Sequence, residues 1–274
     1  MGFLTVDRET CRKDGVCSRD CPMAVIRLQD GDGYPEMVSG GEQICIRCGH
    51  CVAVCPNGAL SHEKIPLQAC PLIKKELALG EQQAVQFLRS RRSIRTFKDK
   101  PVERDKIQRL IEIARYAPTG SNSQLVEWVV YTDKEKVKKL GELTVSWMRQ
   151  ELEEHPDNPP FPYAGLIVAG WDAGLDTVTR DAPAVIVASA PRRAGSGLVD
   201  LSLALSYLEL AAPTMGLGTC WAGLLQRGLC RWQPLKDTVG LAEEHIHFYP
   251  MMLGYPKAKY FRLPERKPPK ITWR

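Results

Sequence analysis

A run of four cysteines constrains the fold of this chain more than any other feature of its sequence. Cys45, Cys48, Cys51 and Cys55 are followed directly by Pro56, which gives the spacing C-x2-C-x2-C-x3-C-P. In bacterial proteins with this spacing, three thiolates bind one four-iron cluster and the fourth binds a neighbouring cluster. Soft, anionic sulfur suits the iron of such a cluster, so the run predicts iron–sulfur chemistry.

The same pattern occurs 34 residues earlier in the chain. At that offset, Cys45, Cys51, Cys55 and Pro56 correspond to Cys11, Cys17, Cys21 and Pro22. Asp14 takes the place of Cys48. A structural zinc site is the alternative, but zinc needs only four ligands and the repeat supplies eight positions. Because a carboxylate is a harder ligand for this iron, Asp14 leaves two alternatives open, a four-iron cluster with a labile corner or a three-iron cluster.

This N-terminal region resembles the two-cluster bacterial ferredoxins. The resemblance implies that each cluster takes ligands from both halves of the repeat. One ligand set is then Cys21, Cys45, Cys48 and Cys51, and the other is Cys11, Asp14, Cys17 and Cys55. Cys70 lies outside the repeat, and we interpret it as an unligated thiol near a linker.

Composition narrows the class of protein further. Ten cysteines without an apolar export signal favour metal ligation or redox chemistry over disulfides, because cytosolic thiols are kept reduced. The net charge of +5 comes from 37 basic and 32 acidic residues spread along the chain, so we expect no nucleic-acid partner. The most apolar long stretch, 198–225, contains Asp200 and Glu209, so we expect no membrane-spanning helix. These features together predict a soluble, cytoplasmic protein.

A change in pattern divides the chain. Residues 62–80 carry charges and two prolines and then give way to a helical pattern, which is typical of a linker. We therefore predict a ferredoxin-like domain over 1–65, a linker over 66–81 and a larger domain over 82–274.

Helical and strand patterns alternate in the larger domain, which predicts an α+β fold. Hydrophobic periodicity predicts a helix after Pro101, strands at 126–132 and 182–191, and a helix from about Val199. The segment 155–174 contains four prolines and predicts an ordered but irregular loop of the kind that often covers an active site.

Three motifs indicate a binding site in this domain. The first, SRRSIRTF at 90–97, combines arginines with a serine near a helix end. Guanidinium groups bind two phosphate oxygens at once and a hydroxyl adds a neutral donor, so the motif can clamp a phosphate. Taken alone, the same cluster is more typical of a solvated basic surface.

The second and third motifs are rich in small residues. ARYAPTGSNSQ at 114–124 ends a helix at Pro118 and continues with short polar side chains that allow a planar ligand to approach. GLGTCWAGL at 216–224 is a glycine-rich exit from an apolar helix, where the backbone amide of Gly223 could donate to a ligand. By themselves these are an ordinary turn and, at Cys220 and Trp221, ordinary packing residues.

In this order and spacing, the three motifs resemble the FMN-binding elements of the nitroreductase family, over about residues 82–274. The resemblance implies a three-layer α/β/α sandwich and an obligate homodimer with FMN at its interface. The residues that it implies for FMN binding are Arg91, Arg92, Ser93, Arg95, Pro118, Thr119, Gly120, Asn122, Gln124, Trp221, Gly223 and Leu224. The closing segment GYPKAKYFRLPERKPPKITW adds Arg266 and Lys267 at the phosphate, with a solvated tail as the alternative.

Leu125 and Val126 depart from that family, whose members usually continue with proline and an aromatic residue. The departure leaves the shape of the substrate face open. No catalytic acid–base pair is predicted, because a flavin carries the chemistry while the protein positions it.

These features predict an iron–sulfur flavoprotein oxidoreductase. We expect electrons to pass from the clusters to FMN and on to a small electron-poor substrate, nitroaromatic or quinone-like. An electron-transfer protein serving a larger partner and a redox sensor are the alternatives. The electron donor is expected to be a ferredoxin or NAD(P)H, although no GxGxxG fingerprint predicts a dedicated nicotinamide site.

Overall fold

The computed structural model describes residues 2–29 and 33–274. Its contacts divide the chain into two units. The N-terminal unit consists of residues 1–78 together with Ser121–Ser123, and the C-terminal unit consists of Leu79–Gly120 and Gln124–Arg274. The division at Ala78 falls inside the segment that the sequence predicts as a linker.

Short elements build the N-terminal unit. They are β1 (Leu4–Val6), α1 (Val16–Arg19), β2 (Ile26–Leu28), β3 (Pro35–Met37), α2 (Gly41–Ile44), α3 (His50–Val54) and β4 (Leu60–His62). Strand β1 pairs with β4 and strand β2 pairs with β3, both antiparallel. Single turns of 3-10 helix follow at Leu67–Ala69 and Lys75–Leu77.

The backbone of this unit repeats with the same offset as its cysteines. Three pairs of residues, each 34 positions apart, adopt the left-handed conformation. They are Lys13 and Arg47 (φ 59° and 52°), Gly15 and Gly49 (φ 69° and 77°), and Ala24 and Gly58 (φ 51° and 61°). Such values are uncommon outside glycine, so their recurrence shows that both halves wrap the same loop shape.

The C-terminal unit is larger and more regular. Its helices are α4 (Glu81–Ser90), α5 (Arg104–Ala114), α6 (Lys134–Glu154), α7 (Ala164–Asp172), α8 (Gly197–Ala211), α9 (Gly223–Arg231) and α10 (Gln233–Val239). Its strands are β5 (Glu127–Tyr131), β6 (Ala184–Ala190), β7 (Gly218–Trp221) and β8 (His247–Gly254). The strands form one antiparallel sheet in the order β5-β6-β8-β7.

Helices cover both faces of this sheet. Successive side chains of a strand point to opposite faces, and in β6 both sets are buried. Ile186 and Ala188 pack against α5 and α8, whereas Val185 and Val187 pack against α6 and α9. The arrangement is the predicted α/β/α sandwich.

Helix α8 forms the centre of one layer. By length and composition alone, Gly197–Met215 could cross a membrane. Leu201, Leu205 and Leu208 are instead fully buried in the core against the sheet and α5. One stripe of the helix therefore contributes to the core of this unit.

Two elements differ from the sequence prediction. The segment 155–174 was predicted to be irregular throughout, but this is wrong for its second half, where α7 occupies Ala164–Asp172. All four prolines precede that helix, so nothing after Tyr163 prevents helix formation. Helix α6, at 21 residues, was not predicted at all.

Candidate cofactor sites

Four cysteines border one cavity in the N-terminal unit. Its lining includes Cys21, Cys45, Cys48 and Cys51. Cys21 comes from the first half of the repeat and the other three come from the second half. The fold therefore brings together one of the two ligand sets that the resemblance implies, in a cavity whose soft sulfur donors fit an iron–sulfur cluster.

Electrostatics groups the same residues. Burial raises the pKa of the Cys51 thiol to about 11, and the neighbouring Cys48, Cys21 and Cys45 add to the effect. Burial likewise raises the pKa of Cys17, and there the contributing neighbours are Cys55 and Asp14. The first group contains all four residues of one predicted set, and the second contains Asp14, Cys17 and Cys55 of the other but not Cys11.

The first half of the repeat differs at Asp14. Its carboxylate Oδ1 accepts a hydrogen bond from the backbone N–H of Val16 at 3.2 Å, at the start of α1. All ten cysteines are free thiols. Across residues 2–29 and 33–274, no three His, Cys, Asp or Glu side chains converge on a site for a single metal ion.

His62 was missed by the sequence prediction. It is 3% exposed, at the end of β4, and its Nε2 lies 3.9 Å from Cys45 Sγ. Burial lowers the pKa of its imidazole, and the nearby charge of Arg47 lowers it further. Only its place near the second cysteine run could have drawn attention to it.

In the C-terminal unit, Glu209 links the first and third motifs. Its Oε1 accepts a hydrogen bond from Arg91 Nη1 at 2.9 Å, and its Oε2 accepts one from Trp221 Nε1 at 3.0 Å. The carboxylate is 6% exposed. A buried charge is costly unless paired, so this contact fixes both partners in one arrangement.

Ile94 packs the first motif directly onto β7. Its backbone N–H donates to the carbonyl oxygen of Thr219 at 2.8 Å. A Cβ placed on Gly218 would lie 2.3 Å from Cγ1 of Ile94, so only glycine fits at position 218. Glycine in this motif therefore serves close packing between chain segments as well as any approach to a ligand.

Arg92 carries an unpaired donor. Its Nη2 atom is buried and has no hydrogen-bond partner among the residues that the structure describes. Beside it, Arg91 Nη1 lies 3.5 Å from Ser93 Oγ. An orphaned buried guanidinium nitrogen fits an anionic ligand such as a phosphate, because leaving such a donor unpaired costs free energy.

The second motif forms a tight loop. The N–H of Gln124 donates to Thr119 Oγ1, and the N–H of Gly120 donates to Asp200 Oδ1, both at 3.0 Å. Ser121–Ser123 belong to the N-terminal unit, where Asn122 Nδ2 donates to the carbonyl oxygens of Ile46 and Arg47 at 3.1 and 3.0 Å. The side-chain amide of Asn122 is therefore engaged with protein in this structure, and its predicted flavin contact stays a prediction.

The third motif leads into α9. Gly223 is the first residue of that helix, and a side chain there would approach the hydroxyl of Tyr249. Tyr249 meets Trp221 edge to face at 5.0 Å between ring centroids. Burial raises the pKa of Tyr249. Tyr249 was also missed, because nothing in the sequence of β8 distinguishes it from a packing residue.

Comparison with known proteins then decides the family. Residues 88–255 match the model of the nitroreductase family, and residues 3–65 match that of a 4Fe-4S dicluster domain. The chain belongs to the nitroreductase family. The predicted class, an FMN-dependent oxidoreductase of the nitroreductase type with an N-terminal ferredoxin-like domain, is confirmed at the level of the family.

Individual relatives of this nitroreductase agree with that assignment. It is 28% identical over 191 residues to the FMN reductase [NAD(P)H] of Bacillus subtilis, covering 67% of this chain and 71% of that protein. FMN-bound nitroreductase structures from Bacteroides fragilis and Desulfitobacterium hafniense share its fold, with a TM-score of 0.55 each and 19% and 20% identity. They cover 71% and 72% of this chain and 98% and 99% of their own chains.

The C-terminal segment of the nitroreductase extends beyond β8 without helix or strand. Glu265 receives a hydrogen bond from Arg89 at 3.2 Å, which ties the segment to the end of α4 just before the first motif. Arg266 and Lys267 follow directly and are exposed. Their predicted contact with the phosphate stays a prediction.

Proposed function

We propose that this chain passes electrons from two iron–sulfur clusters to FMN and on to a small electron-poor acceptor, of the nitroaromatic or quinone type. The observation that carries the proposal is the cavity bordered by four thiols in a chain that belongs to the nitroreductase family. A cluster domain adds a one-electron centre to a flavin enzyme. Joining the two covalently raises the effective concentration for transfer between them.

For the clusters, we assign Cys21, Cys45, Cys48 and Cys51 to one and Cys11, Asp14, Cys17 and Cys55 to the other. The cavity and the two electrostatic groups of ligands support this assignment for every residue except Cys11, which is assigned from its place in the repeat. At Asp14 both a four-iron and a three-iron cluster remain compatible with the ligand set, because a carboxylate is the weaker ligand.

For the flavin phosphate, we assign the first motif. The unpaired Nη2 of Arg92 would donate to it, and Arg91, Ser93 and Arg95 would complete the clamp. Charge-assisted hydrogen bonds from guanidinium groups are among the strongest that a protein makes to phosphate. Glu209 holds Arg91 in place without neutralising Arg92 or Arg95.

For the flavin ring, we assign the second and third motifs. When bound, FMN supplies the conversion between one-electron and two-electron transfer. The amide of Gly223 is at the N-terminus of α9, where backbone N–H groups have no partner within the helix and can donate to a ligand. Leu224 and Trp221 would border the ring and limit the access of water.

We also propose a homodimer. Helix α8 exposes Leu198, Val199, Leu203 and Tyr207 on the face that does not contact the core, and Phe261, Ile271 and Trp273 are exposed in the C-terminal segment. Exposed apolar residues of this kind are typical of an interface with a partner.

The name of the Bacillus subtilis relative supports NAD(P)H as the electron donor. A reducing cytoplasm suits the ten free thiols of this chain.

Anaerobic purification tests the cofactors. The expected preparation is brown, with one FMN and roughly seven or eight irons per chain, the lower value for a three-iron cluster at Asp14. A preparation with iron but no flavin, or with flavin but no iron, would contradict the proposal.

Rapid-mixing reduction tests the route. The clusters are reduced by a one-electron donor, and flavin absorbance is followed in the presence and absence of a quinone. We expect the flavin to be reduced after the clusters and to be reoxidised by the quinone. Flavin that stays oxidised beside reduced clusters would exclude this route of electron transfer. If the flavin is reduced but the quinone is not converted to its reduced form, the result would favour a redox sensor.

A further inference from the structure

His62 borders the cluster cavity without belonging to either ligand set. Its side chain lines the cavity together with Cys21, Cys45, Cys48 and Cys51. Its Nε2 is within hydrogen-bond distance of Cys45 Sγ, at 3.9 Å, and the residue is almost completely buried. An imidazole in this place contacts the sulfur of one cluster ligand and has little contact with water.

The surroundings of the ring decide which nitrogen carries the proton. The backbone N–H of Lys64 donates to Nδ1 at 3.0 Å, so Nδ1 is the acceptor of the neutral imidazole. Nε2 therefore carries the proton and points it at Cys45 Sγ. The hydrogen bond made at one ring nitrogen thus sets the role of the other.

The backbone fixes this orientation. His62 is opposite Leu4 in the β1–β4 ladder and exchanges backbone hydrogen bonds with Ile65, at 3.3 and 3.0 Å. The ring of Phe3 meets the imidazole edge to face at 4.6 Å. Backbone and aromatic packing both hold the ring against the cavity, so the donor is preorganised.

We propose that His62 donates a hydrogen bond to the thiolate of Cys45 and thereby raises the reduction potential of the cluster bound by Cys21, Cys45, Cys48 and Cys51. The inference rests on the proposed assignment of that cluster. Reduction adds one electron, and thus one negative charge, to a cluster whose sulfur ligands share it. A donor that withdraws charge from sulfur stabilises the reduced form, and hydrogen bonds to sulfur are one of the ways a protein sets these potentials.

The internal repeat supplies a natural comparison. At the offset of 34 residues, His62 corresponds to Leu28, whose side chain has no hydrogen-bond donor. In the other ligand set, Cys55 Sγ accepts a hydrogen bond from the backbone N–H of Ala59 at 3.3 Å, which no side-chain substitution removes. The effect of His62 is therefore specific to one cluster, and the two clusters differ in potential partly for this reason.

The test is a redox titration of the full-length chain, followed by electron paramagnetic resonance under anaerobic conditions. His62→Phe keeps a ring beside Phe3 but removes the donor, His62→Gln keeps an N–H donor, and His62→Leu installs the residue of the other half. In the His62→Phe and His62→Leu variants, we expect the midpoint potential of the cluster bound by Cys45 to fall by about 59 mV, a tenfold change in the one-electron equilibrium. The midpoint potential of the other cluster should not change. Gln should recover most of the shift.

Phe3→Leu is the matched control, since it removes the aromatic contact while the hydrogen bonds of His62 with Ile65 and Lys64 still orient the ring. It should leave both midpoints in place. Equal shifts in the Phe and Gln variants, or no shift in the Phe variant at full iron content, would overturn the proposal. Iron and sulfide counts on the wild type distinguish failure of the His62 proposal from failure of the cluster assignment. A wild type that lacks the cluster would refute the assignment itself.

A second measurement covers the case in which His62→Phe binds less iron. In the wild type labelled with 15N-histidine, the reduced cluster should show magnetic coupling to a histidine nitrogen and to an exchangeable proton on it. His62→Gln should lose the histidine coupling while keeping an exchangeable proton. Absence of both couplings in the iron-replete wild type would also overturn the proposal.

Discussion

Different interactions stabilise the interior of each of the two units of this nitroreductase. In the described part of the N-terminal unit, the one hydrophobic cluster is small, namely Cys17, Val25, Ile26 and Leu60, and the residues packed against it include Cys21, Cys45, Cys51 and Cys55. In the C-terminal unit, two continuous hydrophobic clusters enclose a four-stranded sheet. A small core rarely stabilises a domain of this size without metals or other cross-links, whereas the larger unit has what an independent fold requires.

The comparison predicts that the N-terminal unit depends on its clusters to fold, whereas the C-terminal unit folds around its own hydrophobic core. In the N-terminal unit the proposed ligands are also core residues, so loss of iron removes both bonds and packing. In the C-terminal unit, FMN would bind to residues at the edge of a core that is already complete. Four experiments test this contrast, in order of the effect expected.

Loss of a cluster ligand should have the largest effect. We expect Cys51→Ser to abolish protection from hydrogen exchange in residues 2–29 and 33–78, because metal binding and folding are coupled in such small units. Peptides that cover β6 should keep their protection. Hydrogen exchange read by mass spectrometry measures both, and Cys230→Ser, at an exposed thiol outside the repeat, is the control. A protected N-terminal unit without iron would break the comparison.

A truncation that leaves a cavity in the core of the C-terminal unit should have the second largest effect. Leu205 is fully buried in α8, and Leu205→Ala should lower the free energy of unfolding of the C-terminal unit by about 3 kcal/mol. Denaturant titration followed by near-ultraviolet circular dichroism measures this change, and the cluster absorbance should not change. Leu175→Ala makes the same deletion at an exposed position and should cost well under half as much. An equal cost for both variants would mean that this core does not govern stability.

Glu209→Gln sharpens the contrast at the flavin site. The substitution removes the ionic contact that holds Arg91 in the proposed clamp, so Arg91 can move away from the phosphate, and we expect the dissociation constant of FMN to rise on the order of tenfold, or about 1.4 kcal/mol. Recovery of FMN fluorescence on dilution measures it. The control is Glu151→Gln, since Glu151 accepts a comparable hydrogen bond from Trp147 at 3.0 Å, away from the three motifs. A similar loss of FMN in both variants would indicate a general loss of stability.

The smallest effect is expected in acid. A hydrogen bond from Tyr255 lowers the pKa of Glu103 from 4.5 to about 2. Because the folded pKa lies below the unfolded one, the carboxylate stabilises the fold above about pH 4.5, and that contribution is lost as the pH falls toward about 2. The difference in Tm between wild type and Glu103→Gln should therefore shrink below about pH 5.

Tyr255→Phe tests the cause of that shift. It removes the donor and should reproduce the pH dependence of Glu103→Gln, with little further change in the double variant. Differential scanning calorimetry of the C-terminal transition measures all three. Additive effects in the double variant would show that the two residues act separately.

Much of the N-terminal unit was predictable from the sequence, because cysteine spacing constrains the backbone directly. The offset of 34 residues predicted from Cys11 and Cys45 recurs in the left-handed residues Lys13 and Arg47. Strand β6 and helix α8 were predictable from their apolar patterns, whereas the sandwich was implied by the resemblance to the nitroreductase family. Both signals are local, and each occupies consecutive residues.

Contacts between distant positions were not predictable in this way. Glu209 was noted only because it interrupts an apolar stretch, since nothing near it in sequence indicates Arg91, 118 positions away. The contact of His62 with Cys45, 17 positions away, was likewise not predictable from the residues next to it in sequence. Helix α6 is different, because Val137, Leu140, Thr144, Val145 and Met148 have the helical spacing that predicts a helix.

Close packing at Gly218 has a consequence for protein engineering. Residues on either side of Ile94 are the arginines and serine assigned to the cofactor, and the space for a side chain at 218 is already filled. Libraries that aim to change acceptor range are better directed at Leu125 and Val126, where the chain departs from the usual family pattern. Randomising position 218 would mostly return variants that displace the clamp, so that position is best kept constant in any selection.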